Sequence, residues 1–189
     1  NLAQQDFSGL NGATRDGTSV FDNPSFATVI DRNQLNERDA NSMFRALQYE
    51  VGVMMQATAN GQASPFLRGL TGQQVLLLVD GVRLNNSTYR AGPNQYFNLI
   101  DPGMVDHIEI VRGPEGVLWG GDAIGGVINV VSRSASPNRG NYGLPTFTEY
   151  FGTADTSSYS RGNVEGWVGN SGVFAGGSYL NVNDIDRGG

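Results

Sequence analysis

Val75-Leu76-Leu77-Leu78-Val79-Asp80-Gly81-Val82-Arg83 decides the fold. Five consecutive apolar residues leave no side for water, and a turn signal closes the run after one strand's length. The run therefore reads as a strand buried on both faces, central in a sheet. Asp80-Gly81 tolerates the positive φ angles that a two-residue type I′ turn demands, so Val82-Arg83-Leu84 is expected to return alongside.

Downstream, residues 85–97 form a long loop, a length that is usually functional or mobile. Asp101-Pro102 pairs an N-cap with a first-turn proline and predicts a short helix through Val105. His107 to Val111 reads as a strand. Gly113-Pro114 starts a helical turn carrying Val117, Leu118 and Trp119. Gly120, Gly121, Gly125 and Gly126 then surround an abrupt turn before a strand over Val127–Val131.

Upstream, Phe66 to Leu70 is expected to be a short strand and residues 56–64 a polar loop. Ala40, Met43, Phe44, Leu47 and Val51 recur on one helical face. Asn36 serves as their N-cap, Glu37 and Asp39 suit the positive end of the dipole, and Gly52 is the stop. Ala27 to Ile30 reads as the first strand. Residues 1–23 are a polar arm, with turn signals at Asp16-Gly17 and Asn23-Pro24.

The texture changes near residue 138. Runs at 145–151, 159–169 and 172–183 alternate weakly with period two, each near the roughly 9–11 residues of a tilted membrane strand. In the second, Val164, Gly166 and Val168 oppose Arg161, Asn163 and Glu165. In the third, Phe174, Leu180 and Val182 oppose Tyr179, Asn181 and Asn183. Three strands do not close a barrel, which needs about eight, so a longer protein is expected.

Composition narrows the function. With no cysteine, disulfide scaffolds and thiolate metal sites are excluded. A net charge of -6 with scattered arginines argues against nucleic acid. Glycine is abundant, at 27 residues, while aromatic content is ordinary at 10%, which indicates short strands and tight turns rather than disorder. No leader peptide is visible at Asn1-Leu2-Ala3, and no apolar run reaches the roughly 18 residues of a membrane helix. Any membrane crossing would be by strands.

The segment from Phe66 to Arg133 closely resembles the plug of TonB-dependent outer-membrane receptors. The resemblance rests on Leu67-Arg68-Gly69, Val79-Asp80-Gly81-Val82-Arg83, Ile108-Glu109-Ile110-Val111-Arg112-Gly113-Pro114, Leu118-Trp119-Gly120 and Ala123-Ile124-Gly125-Gly126-Val127-Ile128-Asn129-Val130-Val131, in that order. Val29-Ile30-Asp31-Arg32 resembles the family's first strand and helix. The implied fold is α+β: a small mixed-sheet plug with short helices over 24–137, then the first antiparallel strands of a transmembrane barrel over 138–189. In the family that barrel has roughly 22 strands.

What the resemblance implies about function is active import of a scarce nutrient across the bacterial outer membrane. The plug occludes the barrel and helps to bind ligand. Ferric siderophore is the commonest family ligand; haem, cobalamin and oligosaccharides are the others. The implied partners are TonB of the inner-membrane energising complex, the extracellular ligand and outer-membrane lipid. No enzyme activity, cofactor or resident metal is expected. Arg68 and Arg112 match the arginines that pair with barrel glutamates, a role suited to a planar, always-charged fork. Tyr89, Arg90, Asn94, Gln95, Tyr96 and Phe97 match an apical ligand-contacting loop, and so do Gly72 and Gln73. Asp80, Gly81, Gly113, Pro114, Gly120, Gly125 and Gly126 are architectural turns.

Trp119 stands where the family commonly has Tyr, and Glu115 where a small or amide residue is common. No convincing TonB box is present; Thr18-Ser19-Val20 is a faint echo, so the box is upstream or degenerate. His107, the lone histidine, is read as structural. The competing readings are a metal- or nucleotide-dependent α/β enzyme centred on Asp80 and a non-transporting envelope binding module. The enzyme reading lacks a phosphate-loop Lys, a histidine cluster and a spaced carboxylate pair. Asn183, Asp184 and Asp186 fit no standard calcium loop. Expressed separately, residues 24–137 are expected to be soluble and marginally stable and residues 138–189 to self-associate through open strand edges. Sedimentation of both pieces tests this, and a monomeric, cooperatively folded second piece would count against barrel strands.

Overall fold

The computed structural model describes residues 26–59, 61–84, 95–115, 119–135, 141–152 and 157–181. The N-terminal arm, Tyr89, Arg90, Asn94, Val117, Leu118, the expected boundary at 138, and Val182, Asn183, Asp184 and Asp186 lie outside the described residues. The chain divides into two compact units at Ser132/Arg133. Its strands are β1 (Phe26–Ile30), β2 (Val53–Ala59), β3 (Gln62–Leu67), β4 (Val75–Val79), β5 (Val82–Arg83), β6 (Val105–Arg112), β7 (Gly126–Ser132), β8 (Tyr142–Gly152), β9 (Ser157–Val168) and β10 (Ser171–Asn181). Two short helices, α1 (Arg32–Glu37) and α2 (Met43–Leu47), precede β2.

The first unit is built on a mixed five-stranded sheet in the order β1-β6-β7-β4-β5, with β4 parallel to β7 and all other pairs antiparallel. Its apolar strands are continuous because both faces are covered. On one face Leu77, Ile108, Ile110, Ile128 and Val130 pack with Leu35, Leu47 and Leu67. On the other, Leu76, Leu78, Val111 and Val127 pack with Trp119 and Ala123. Each fully buried aliphatic contributes roughly 1.5–3 kcal/mol.

The turn after β4 is as the dipeptide dictates. Asp80 and Gly81 have φ of 50° and 76°, and Val79 pairs directly with Val82. Arg68-Gly69 makes a similar two-residue turn, with φ of 52° and 81° and Leu67 and Leu70 exchanging backbone hydrogen bonds at 2.9 Å. β3 therefore ends at Leu67, and Phe66 to Leu70 is not one continuous strand.

Two other expectations are corrected. Residues 56–64 are not a loop: they belong largely to the β2–β3 hairpin, which pairs Val53 with Leu67 and Gln56 with Ser64. The hairpin lacks an alternating signal because its far end is exposed on both faces. The single helix capped by Asn36 is also replaced by two. Asp31 caps α1 in a reciprocal capping box with Gln34, and Ser42 caps α2. These caps, with Asp39 at φ 46° between the helices, outcompete the longer periodic reading. Met43 and Leu47 are buried, but Val51 is 75% exposed and Gly52 turns the chain into β2. The turn after Asp101 is a 3-10 helix over Pro102–Met104, with Asp101 accepting from the Gly103 amide at 2.8 Å.

The second unit is a three-stranded antiparallel sheet, β10-β9-β8. Directly paired residues share a face. One face carries Phe147, Phe151, Val164, Val168, Val173 and Tyr179, all exposed. The other combines Arg161, Asn163 and Glu165 with Tyr142, Tyr159, Phe174 and Leu180. The register thus settles what alternation left open: Tyr179, not Phe174 or Leu180, lies with the valines.

Gly126 allows β7 to start against β6. Its φ is 140°, and a Cβ there would lie 2.3 Å from the Val111 carbonyl oxygen and 2.8 Å from Leu67 Cδ1. Gly126→Ala is expected to cost about 3 kcal/mol or more, through strain and a backbone clash that cannot relax cheaply. Denaturant titration checks this; a loss well under about 1 kcal/mol would mean that the close approach is not required.

Candidate functional site

One end of the five-stranded sheet gathers the start of β1, the end of β6 and the starts of β4 and β7. Arg112 closes β6 there, paired across the ladders with Phe26 and Gly126. It is 3% exposed. Its Nη1 donates to Thr28 Oγ1 at 2.7 Å, and its guanidinium lies 5.0 Å from the centre of the Phe26 ring. The other side rests on Gly52, where a Cβ would come within 3.2 Å of Cδ and Nε. Nε and Nη2 are buried with no hydrogen-bond partner among the described residues. Burial pushes the Arg112 pKa down; Glu50 opposes that shift and Arg68 adds to it. The structure thus brings the two predicted arginines within electrostatic range of each other. Arg68 is exposed on its turn, while Arg112 is packed inside the unit.

The glycine-rich turn beside them is knit by backbone. Gly125 N–H donates to Gln74 O at 2.7 Å and the Gly125 carbonyl accepts from Gly113 N–H at 3.3 Å, while Trp119 N–H donates to Glu115 O at 3.0 Å. A Cβ at Gly125 would sit 3.0 Å from Leu70 Cβ. Gly113, which precedes Pro114, and Gly120 have φ of 140° and 87°. Arg83 fastens β5 to this turn, donating to Asp122 Oδ2 at 2.8 Å and to the Trp119 carbonyl.

The expected ligand-contacting residues separate into different environments. Gln95 opens a 3-10 helix, Gln95–Leu99, that packs beside β3. Tyr96 is 51% exposed on it. Phe97 is fully buried in the core, so its ring supports the helix instead of facing a ligand. Asn98 Oδ1 ties the same helix to the Phe44 amide at 2.8 Å. Gln73 is exposed, whereas Gly72 is buried with φ 66° and shapes the chain.

Sequence reading missed a polar chain at the opposite end of the sheet. Asp80 Oδ1 accepts from Ser132 N–H at 2.7 Å, Asn129 Oδ1 accepts from Gly81 N–H at 3.1 Å, and Asn129 Nδ2 donates to Glu109 Oε2 at 2.9 Å. Glu109 is 1% exposed, and its Oε1 lies 3.6 Å from His107 Nε2. Asp106 holds His107 Nδ1 at 2.8 Å. The signal was present as one polar residue centred in each of two apolar runs, Ile108-Glu109-Ile110 and Ile128-Asn129-Val130, which the register places opposite each other. Asp80's carboxylate is thus engaged in holding the end of β7.

A family model for the TonB-dependent receptor plug domain matches residues 19–127, and the chain belongs to that family of outer-membrane receptors. The vitamin B12 transporter BtuB of Vibrio vulnificus is 40% identical over 116 residues, 60% of this chain and 18% of the relative. BtuB of Vibrio cholerae is 39% identical, over 59% and 18%. The chain thus spans about a fifth of the length of these curated relatives. Among solved structures, the ferric-catecholate import receptor Fiu of E. coli has a TM-score of 0.69 at 20% identity, over 94% of this chain and 24% of Fiu. The ferric yersiniabactin uptake receptor FyuA of Yersinia pestis has a TM-score of 0.61 at 21% identity, over 91% and 25%. These likenesses show the fold. Membership in a receptor family sets aside the enzymatic reading of Asp80.

The polar chain has a pH signature. Hydrogen bonding to Asp106 first, then to Glu109, raises the His107 pKa from 6.5 to about 9 against the effect of burial. Protonated His107 therefore contributes stability in full below pH 6.5, and that contribution is lost as pH rises through about 9. The unfolding midpoint is expected to fall across this window, and His107→Gln to flatten the decline. An unchanged slope in the variant would remove His107 from the network.

Proposed function

We propose that this chain is the plug and the first wall strands of a receptor that imports a scarce, bulky nutrient across the outer membrane, driven by TonB. The observation that carries the proposal is the mixed sheet with its Arg-Gly and Asp-Gly turns, within a stretch that matches the plug family. On this reading residues 24–137 plug a barrel, and residues 138–189 begin its wall. The exposed apolar face of β8–β10 suits lipid, and the polar face suits a hydrated lumen. Arg112 supports a plug–wall contact, because a buried guanidinium with two unpartnered nitrogens calls for a carboxylate from elsewhere, and exposed Arg68 adds charge beside it.

For ligand, the first reading is a ferric siderophore, taken up partly by exposed Tyr96 and Gln73; Tyr89, Arg90, Asn94 and Gln95 are further candidates on the sequence resemblance alone. A ring and amides suit a metal chelate through stacking and hydrogen bonds. Cobalamin is the second reading, favoured by the 40% identity to a vitamin B12 transporter.

The test is uptake of labelled ferric siderophores, cobalamin and haem by cells carrying the full-length receptor, with and without TonB. One compound is expected to bind in both strains and to accumulate in the TonB strain alone. Tyr96→Ala is expected to weaken binding about tenfold. Saturable binding with no TonB-dependent uptake would favour a non-transporting module.

A further inference from the structure

Arg133 is the first residue after β7, and three groups hold its side chain, two of them directly. Nη2 donates to Glu165 Oε2 at 3.1 Å, and the guanidinium carbon lies 4.7 Å from the centre of the Phe174 ring. Glu165 is fixed in turn by Tyr142, whose hydroxyl donates to Oε1 at 2.5 Å. Tyr142, Glu165 and Phe174 come from β8, β9 and β10, one from each, on the same face of the sheet. Two residues on, Ala135 is buried. It occupies space left by Gly172, where a Cβ would lie 2.8 Å from the Ala135 methyl and 2.3 Å from the Trp167 ring. Residues 133 and 135 are therefore both seated on the three-stranded sheet, with Ser134 exposed between them.

We propose that Arg133 is a positioning residue that clips the chain leaving the plug sheet onto the wall sheet, making the plug's C-terminal attachment a short, fixed tether. This rests on reading β8–β10 as barrel wall. Arginine suits the position because one planar group can stack on a ring and donate to a carboxylate together; lysine, a compact point charge with no plane to stack, combines the two less well. The pair is partly buried, so salt screens it weakly. The consequence follows from tether length. Residues released from the sheet lengthen the free linker, and the effective concentration of the plug at its seat falls as linker length grows. A loosened clip lets the closed state open passively.

The test uses the full-length receptor, with outer-membrane fractionation of the wild type done first. A failed wall assignment shows there, as absence from that fraction, whereas a failed clip shows in the variants. In Arg133→Glu, amide exchange of Ser134 and Ala135 is expected to rise about tenfold. Cells lacking TonB are expected to become permeable to a bulky antibiotic. Adding Glu165→Arg should restore at least part of both, and Phe174→Leu, which spares the ion pair, should give a smaller rise in exchange. Unchanged exchange in Arg133→Glu would overturn the clip, and raised exchange without leakage would overturn its role in closure.

Discussion

Gly126 brings the start of β7 so close to β6 that no side chain fits between its α-carbon and the Val111 carbonyl. β7 is the middle strand of the five, bonded to β6 on one side and to β4 on the other. Both remaining strands, β1 and β5, join the sheet through these neighbours, and both apolar layers are laid on the faces so formed. A small domain with little helix gets its stability from this doubly covered sheet. The glycines around it let backbones approach where a β-carbon would hold them apart.

Against that apolar background the polar groups are sparse and specific. Glu109 and Asn129 spend their polar atoms within the sheet, where they bind the Asp80-Gly81 turn and the end of β7 to β6. Such a network fixes register, since a one-residue slip would leave a buried carboxylate facing aliphatic side chains. Arg112 contrasts with it. One of its nitrogens is satisfied by Thr28, while two others have no acceptor among the described residues. Burying a charged group unpaired is costly, and on the proposed reading a carboxylate of the barrel wall offsets that cost.

Much of the fold was legible because local chemistry and global structure agree: Val75 to Val79, Asp80-Gly81, Asp101-Pro102 and the runs flanking Glu109 and Asn129 each admit one reading. The helix was misread because Asp31 and Ser42, two caps 11 residues apart, cut a periodic pattern that spacing alone joined. The β2–β3 hairpin was missed because Gln56 to Gln62 has neither β-branched residues in number nor a buried face to impose alternation. At the candidate site, sequence singled out Arg68 and Arg112 as residue types. That Arg112 would be interior, that Phe97 would serve the core while Tyr96 faces outward, and that Arg133 would meet both Glu165 of β9 and Phe174 of β10 all depend on packing between distant segments.

The most direct measurement is an experimental structure of the full-length protein in a membrane mimetic. The account predicts β8, β9 and β10 as neighbouring wall strands of a closed barrel, with Val164, Val168, Val173 and Tyr179 facing lipid. It also predicts the five-stranded sheet in the lumen and a wall carboxylate within hydrogen-bonding distance of Arg112 Nε or Nη2. A structure in which β8–β10 form a separate water-exposed sheet and Arg112 remains without an acidic partner would contradict it.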